Sequence, residues 1–194
     1  FCIAIFVGFY LSLKGGLPIV IIGLTSIISG ILYTGGPYPL GYHGWGDFFV
    51  FIFFGLIAVP GTYYLQTGNI TLNSIYLGIV MGMLSNAILV VNNLRDMDLD
   101  KISGKHTLAV RFGSFFSKIQ YSLLVLLPIF LPLYFWINNI ANSSILLTCF
   151  SFPIACNLSA NIFLKKGSDL NQTLTKTARF LFIYTLLFSV GLII

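Results

Sequence analysis

An all-α bundle of about seven membrane-crossing helices is the fold that this sequence predicts. Three observations carry it. Apolar residues make up 57% of the 194 positions and charged residues only 8%, with a mean hydropathy of +0.96, a balance foreign to soluble domains of this size. The apolar residues gather into runs that approach the roughly 20 residues a helix needs to cross the hydrocarbon core. The interiors of those runs contain no Asp, Glu, Lys or Arg, as expected when each would cost about 2.5–3.5 kcal/mol at mid-bilayer.

The segments fall at about 1–13, 17–34, 48–65, 71–92, 119–137, 145–163 and 179–194. The first is short and begins at Phe1, already in apolar sequence, so it is expected to be the remainder of a span that starts upstream. Between the second and third lies YTGGPYPLGYHGWGDFFVF, Tyr33 to Phe51, whose Gly and Pro content suits a tight irregular loop with exposed backbone N–H groups. His43 and Asp47 are the ionisable residues there; a lone His is more often an interfacial residue than a ligand. The fourth segment carries Gly78 and Gly82, a small-xxx-small pair, and Asn86; with Asn157 and Asn161 of the sixth, these offer helix association and hydrogen bonds across neighbours. Pro60, Pro128, Pro132 and Pro153 fall in or near spans, where neighbours can re-satisfy freed carbonyls. Tyr63, Tyr64, Tyr121 and Trp136 fall near predicted span ends, as interfacial aromatics do.

Cysteine and charge usage narrow the class. Cys2, Cys149 and Cys156 are odd in number and lie in apolar segments, which fits packing better than a disulfide or metal site. No cleavable signal peptide, low-complexity stretch or soluble domain stands out, so residues 1–194 read as a single membrane domain. If the polar loop after the fourth segment is cytoplasmic, that side holds Arg95, Lys101, Lys105, Arg111, Lys118, Lys165, Lys166, Lys176 and Arg179, against Lys14 alone opposite. The net charge of +5 is then a topology signal, and nucleic acid need not be invoked as a partner.

The chemistry concentrates in NNLRDMDLDKISGKHTLAVRFG, Asn92 to Gly113, which holds three of the five carboxylates and four of the ten cations. Asn92, Asp96 and Asp100 recur every four residues. On a helix each such step rotates by only about 40°, so the three line one face, while Asp98 lies about 200° from Asp96 and points elsewhere. Magnesium takes oxygen ligands and commonly binds through one or two carboxylates plus substrate phosphate. Asp96 and Asp100 are therefore candidate metal ligands and catalytic residues, with Asn92 one turn deeper. Arg95, Lys101, Lys105 and Arg111 stand ready to neutralise a departing diphosphate. An allylic diphosphate would then ionise at the membrane surface, with the apolar bundle holding its tail and excluding water. A solvated charge cluster obeying the topology rule is the plainer alternative, but it would not require the four-residue spacing.

This segment resembles the second Asp-rich region of the UbiA-type intramembrane prenyltransferases, most of all the branch that prenylates 1,4-dihydroxy-2-naphthoate. The pattern NN-x-RD-x-x-x-D followed by GK-x-TLAVR-x-G is matched at Asn92, Asn93, Arg95, Asp96, Asp100, Gly104, Lys105, Thr107 to Arg111 and Gly113. The Gly-rich loop is similar through Tyr33, Thr34, Gly35, Gly36, Pro37, Gly41, Gly44 and Gly46, with Asp47 where a Glu is common, and LNQTLTKTA before the last span is a weaker echo.

The resemblance implies nine helices around a central cavity, in a bacterial inner (plasma) membrane, with the active site toward the cytoplasm. It implies magnesium-dependent transfer of a polyprenyl group from its diphosphate to the naphthoate ring with loss of the ring carboxylate, giving demethylmenaquinone for menaquinone biosynthesis. Asp96 and Asp100 would hold the metal. Asn92, Asn93, Arg95, Lys105, Arg111 and Tyr33 would meet the diphosphate substrate. One departure is serious: no N-x-x-x-D-x-x-x-D motif precedes Asn92. Two helices and that motif are expected upstream, and this polypeptide alone is expected to be inactive.

Other classes stay open at this point. Another UbiA-type aromatic or phytyl transferase shares every feature above. A transporter would usually place ionisable groups along a mid-membrane path, and these spans have none. A non-catalytic membrane subunit leaves the aspartate spacing unexplained.

Overall fold

The computed structural model describes residues 2–194; Phe1, with which the first predicted segment begins, lies outside them. Helices account for nearly every element, and no strand occurs among the described residues. Six helical stretches are long and apolar enough to cross a membrane: Cys2–Thr34, Gly46–Thr67, Leu72–Arg95, Leu108–Ile137, Ser143–Leu164 and Gly167–Ile193. The all-α membrane architecture expected from composition is what the chain adopts.

Six stretches accommodate the seven predicted segments because one of them holds two, on either side of a break. Helix α1, Cys2–Thr34, contains both, interrupted at Gly16 with φ 65° and ψ −156°. That φ lies in the left-handed region, which glycine enters without a Cβ clash. Gly8 and Leu11 from before the break and Ile19, Ile22 and Gly23 from after it line one cavity of about 200 Å³. The two halves of α1 therefore converge on the same space, and the break is a real change of direction. Most of α1 presents exposed apolar side chains, among them Leu17, Ile21, Leu24 and Ile28, the surface a helix offers to lipid.

The chain divides by its contacts into two units, one ending at Gly82 and the other Met83–Ile194. In the first, a 3-10 turn at Leu40–His43 leads into the short helix α2, Gly46–Val50, a π-helical stretch Phe51–Ile57, and α3, Ala58–Thr67. The π-turn stands immediately before Pro60. A missing N–H at that point favours such a local rearrangement of the ladder. Tyr64 Oη donates to Gly15 O at 3.1 Å, tying α3 to the break in α1. Helix α4, Leu72–Arg95, begins in this unit. Its Gly78–Gly82 pair meets Gly55 backbone to backbone: a Cβ on Gly55 would stand 2.5 Å from Gly78 O and 2.7 Å from Gly82 Cα. The small-xxx-small reading of the sequence finds its partner here.

The second unit holds the end of α4, then α5, Met97–Ile102, α6, Leu108–Leu126, α7, Phe130–Ile137, α8, Phe152–Leu164, and α9, Leu170–Ile193. Along α9, Thr173, Thr177, Phe180, Tyr184, Phe188 and Gly191 are buried at three- and four-residue steps, the signature of one face turned to a core. Phe180, Tyr184 and Phe188 form a column of rings with centroids 6.2 and 6.1 Å apart, and Phe135 meets Phe188 edge-on at 5.6 Å. Gly191 lets α9 approach the 3-10 segment Ser143–Ser151, where Ser144 Oγ donates to Gly191 O at 2.9 Å. Tyr184 Oη donates to Pro128 O at 2.7 Å.

Several local expectations are corrected. Tyr121 is fully buried, with its hydroxyl 2.7 Å from Thr177 Oγ1. It is no interfacial aromatic: α6 resumes after a break at Gly113 (φ 82°, ψ 173°) and runs through Tyr121 to Leu126, inside the apolar stretch Leu108–Ile137. Asn161 Nδ2 bonds Asn157 O and Oδ1 at 2.7 and 2.8 Å along its own helix instead of bridging neighbours. Asn86 Oδ1 is buried with no hydrogen-bond partner among the described residues. Lys118 is buried too, and its Nζ donates to Phe163 O at 3.1 Å near the end of α8, where a cation complements the helix dipole. The three cysteines are free.

Candidate active site

Helix α4 stops at Arg95, and a short new helix, α5, starts after Asp96, its N-cap. Asp96 N donates to Asn92 O at 3.1 Å and Asp100 N donates to Asp96 O at 2.8 Å. Asn92, Asp96 and Asp100 are thus linked backbone to backbone across the join between the two helices, at the four-residue steps of the sequence. Asp98 is exposed, off that strip. The strip sits at the end of a span, where its charges need not enter hydrocarbon.

Each carboxylate is gripped by a basic side chain. Arg95 Nε donates to Asp96 Oδ1 at 2.7 Å and Nη2 to Asp96 Oδ2 at 2.6 Å, a two-point fork. The same Nη2 reaches Asn92 Oδ1 at 2.9 Å, and Nη1 reaches Asn171 Oδ1 at 2.9 Å. Both side chains of the Arg95–Asp96 pair are partly exposed, at 25% and 30%. At that exposure the pair adds about 0–1 kcal/mol to stability, and its main effect is to orient the carboxylate. The hydrogen-bonded guanidinium also holds the Asp96 carboxyl below the usual carboxylate range, outweighing partial burial, with Lys105 adding a smaller pull. Asp96 is therefore ionised throughout the neutral range.

Asp100 is buried and accepts from Lys105 Nζ at 3.0 Å. A Schellman turn creates this pair. Gly104 adopts φ 75°, Gly104 N donates to Lys101 O at 3.3 Å, and Lys105 N donates to Asp100 O at 2.9 Å. The turn carries Lys105 back over the strip, which is why glycine precedes lysine in the motif. Thr107 then caps α6, its Oγ1 accepting from Val110 N at 3.4 Å, and Arg111 sits exposed in the first turn of that helix. The loop from Asp100 to Thr107 is thus built by two helix-end devices of opposite kind.

The structure gathers Asn92, Arg95, Asp96, Asp100 and Lys105 into one neighbourhood of the second unit. Asn93, half-buried on α4, joins none of these bonds. Tyr33 belongs to the first unit. It lines an apolar cavity of about 340 Å³ with Ser29, Gly30, Phe49, Phe53 and Phe54, its ring 6.4 Å from that of Phe49. In the adjoining loop, Tyr38 stacks on His43 at 3.4 Å, and His43 Nδ1 donates to Pro39 O at 2.9 Å. Asp47 is buried in the first turn of α2, where a carboxylate suits unpaired N–H groups. Asn171 escaped the sequence reading as a site residue; the LNQTLTKTA echo was its only trace.

The donor set suits magnesium. Two carboxylates stand one turn apart, with lone pairs beyond those used by Arg95 and Lys105, and such an ion draws its other oxygens from phosphate and water. Among the described residues no group of three or more His, Cys, Asp or Glu could hold a metal unaided, so substrate oxygens would complete the shell.

The family model "UbiA prenyltransferase family" matches residues 1–190. The chain belongs to the UbiA prenyltransferase family. Among curated members, a 1,4-dihydroxy-2-naphthoate octaprenyltransferase of Haemophilus influenzae is 34% identical over 174 residues, 89% of this chain and 56% of that protein. One of the same name from Mycobacterium leprae is 42% identical over 118 residues, 61% of this chain and 40% of that protein. A UbiA prenyltransferase domain-containing protein 1 of Xenopus tropicalis is 30% identical over 169 residues, 86% of this chain and 46% of that protein. The chain spans about half the length of the curated relatives it matches.

Proposed function

We propose that this chain provides the leaving-group side of a site that transfers a polyprenyl group from polyprenyl diphosphate to 1,4-dihydroxy-2-naphthoate, as a step toward menaquinone. One observation carries the reading: two carboxylates one helical turn apart at the end of a membrane span, each paired with its own cation. Relatives named for that reaction supply the acceptor.

Asp96 and Asp100 would hold magnesium, which when bound neutralises the diphosphate as its C–O bond breaks. Arg95 keeps Asp96 ionised and aimed along the strip. Lys105, already folded over Asp100, is placed to bond phosphate oxygens, and Arg111 stands one loop away to share the departing charge. Asn92 and Asn93 add neutral polar groups one turn deeper. Tyr33, in the first unit, keeps a substrate-binding role from the resemblance alone; the apolar cavity that it lines with Phe49, Phe53 and Phe54 suits isoprene units. The polyprenyl group would replace the ring carboxylate of the naphthoate, a detail that rests on the resemblance.

The deciding experiment is a membrane assay of the full-length protein with dihydroxynaphthoate and polyprenyl diphosphates of several lengths, with and without magnesium. Prenylated product that requires the metal is expected. Equal turnover in excess chelator, or transfer only to another aromatic acceptor, would overturn the assignment.

The cation distribution favours a cytoplasmic strip. Single cysteines introduced at Lys14 and Asn139 are expected to react with an impermeant maleimide from one side, and those at Lys105 and Lys166 from the other. Reaction of all four from a single side would refute this topology.

A further inference from the structure

Arg95 bonds both oxygens of Asp96, so what steadies Arg95 steadies that carboxylate. Its guanidinium is a rigid planar fork of five N–H donors. The inner edge, Nε and Nη2, is spent on Asp96, and Nη2 also reaches Asn92 on the same helix. Those contacts all lie on the Asp96 and Asn92 side. The outer nitrogen, Nη1, has its contact 76 residues away, on Asn171 Oδ1 at 2.9 Å in the first turn of α9. Asn171 is thus the one anchor of the fork that belongs to another helix. Its amide oxygen accepts from the nitrogen that Asp96 does not use, so it fixes the guanidinium from the other side. The neighbouring Gln172 makes a separate bond, Lys165 Nζ to Gln172 Oε1 at 2.7 Å, which leaves the Arg95 contact to Asn171.

We infer that Asn171 is a positioning residue: through Arg95 it sets the orientation of the Asp96 carboxylate and hence the affinity of the strip for a divalent ion with diphosphate. The LNQTLTKTA segment thereby gains a role that its distance in sequence from the aspartates conceals. This rests on the reading of Asp96 as a metal ligand. Groups that orient a ligating carboxylate typically carry a 10–100-fold effect on metal affinity when removed. For a partly exposed bond the lower end applies.

The test uses the purified full-length protein in detergent, with Mn²⁺ binding measured by electron paramagnetic resonance at fixed inorganic pyrophosphate. Asn171→Leu, equal in shape but without an acceptor, is expected to weaken Mn²⁺ binding about tenfold while circular dichroism stays unchanged. Asn171→Asp, which keeps the oxygen in place, is expected to stay within about threefold of the parent. In an Arg95→Met background the leucine change should add nothing, because the fork it anchors is gone. A packing role would reverse the order of the two variants, and that result overturns the inference. So does a leucine variant with parental affinity, or an equal loss with and without Arg95. Asp96→Asn is the control that separates the two levels. If it abolishes Mn²⁺ binding while Asn171→Leu does not weaken it, the positioning role alone falls; if it changes nothing, the metal reading falls and takes this inference with it.

Discussion

Asp96→Ala and Asp100→Ala are each expected to reduce prenyl transfer by about 10²–10³-fold at saturating magnesium, while Asp98→Asn keeps most of it. Metal stabilisation of a departing diphosphate contributes several kcal/mol, and each 1.36 kcal/mol is a factor of ten. Asp96 and Asp100 stand one turn apart, joined by the Asp100 N to Asp96 O bond, whereas Asp98 is exposed. A fold defect is not the expected cause. Arg95 keeps its bonds to Asn92 and Asn171 when Asp96 is removed, and Lys105, whose side chain is 34% exposed, can turn to water when Asp100 is removed. Size-exclusion profiles should therefore match the parent. The measurement is turnover in membranes across a magnesium titration. Parental turnover in either alanine variant would remove the metal assignment, and a loss in Asp98→Asn as deep as in Asp96→Ala would remove the helical register.

The spans were legible because burial in lipid leaves a contiguous apolar run, and the strip was legible because its geometry is local. A four-residue spacing converts directly into a shared helix face, with no knowledge of the rest of the fold. What sequence concealed was every contact between distant residues. Asn171 lies 76 positions from Arg95, and nothing in the composition of α9 pairs them. Tyr121 was misplaced for a different reason. The predicted span began after the charged residues Arg111 and Lys118, but the apolar stretch reaches back to Leu108, with a break at Gly113, and takes both in. Lys118 can lie within it because its ammonium reaches the carbonyl of Phe163, a compensation invisible from hydropathy. The break at Gly16 separates the first two predicted segments, as its dihedrals and the cavity shared by the two halves show. Asn86, Asn157 and Asn161 show the limit of reading polar residues in spans as bridges. Two of them satisfy each other along one helix, and the third leaves its carbonyl oxygen unpaired.

Gly55→Leu is expected to abolish accumulation of folded protein, and Gly55→Ala to lower its midpoint of thermal unfolding in detergent. The contact is between backbones. A Cβ on Gly55 would meet Gly78 O at 2.5 Å, Gly82 Cα at 2.7 Å and Gly82 N at 2.9 Å; from the other side, a Cβ on Gly82 would meet Phe51 O at 2.8 Å. None of these atoms is the end of a flexible side chain, so relief requires the π-helical stretch and α4 to separate. Overpacking ordinarily costs about 1–3 kcal/mol, and a backbone clash on both helices puts the alanine variant at the upper end. Separation would also forfeit the close packing that drives helix association where lipid is as apolar as the helices themselves. Gly61→Ala is the matched control in the same unit, since its added methyl finds only Ile22 Cδ1 at 3.9 Å; there alanine's helix propensity should leave stability equal or slightly higher. If Gly55→Ala unfolds at the parental temperature while Gly61→Ala does not fall, the two backbones are not in contact as described. If both fall equally, the loss belongs to α3 and its neighbourhood in general and not to the Gly55–Gly78–Gly82 crossing.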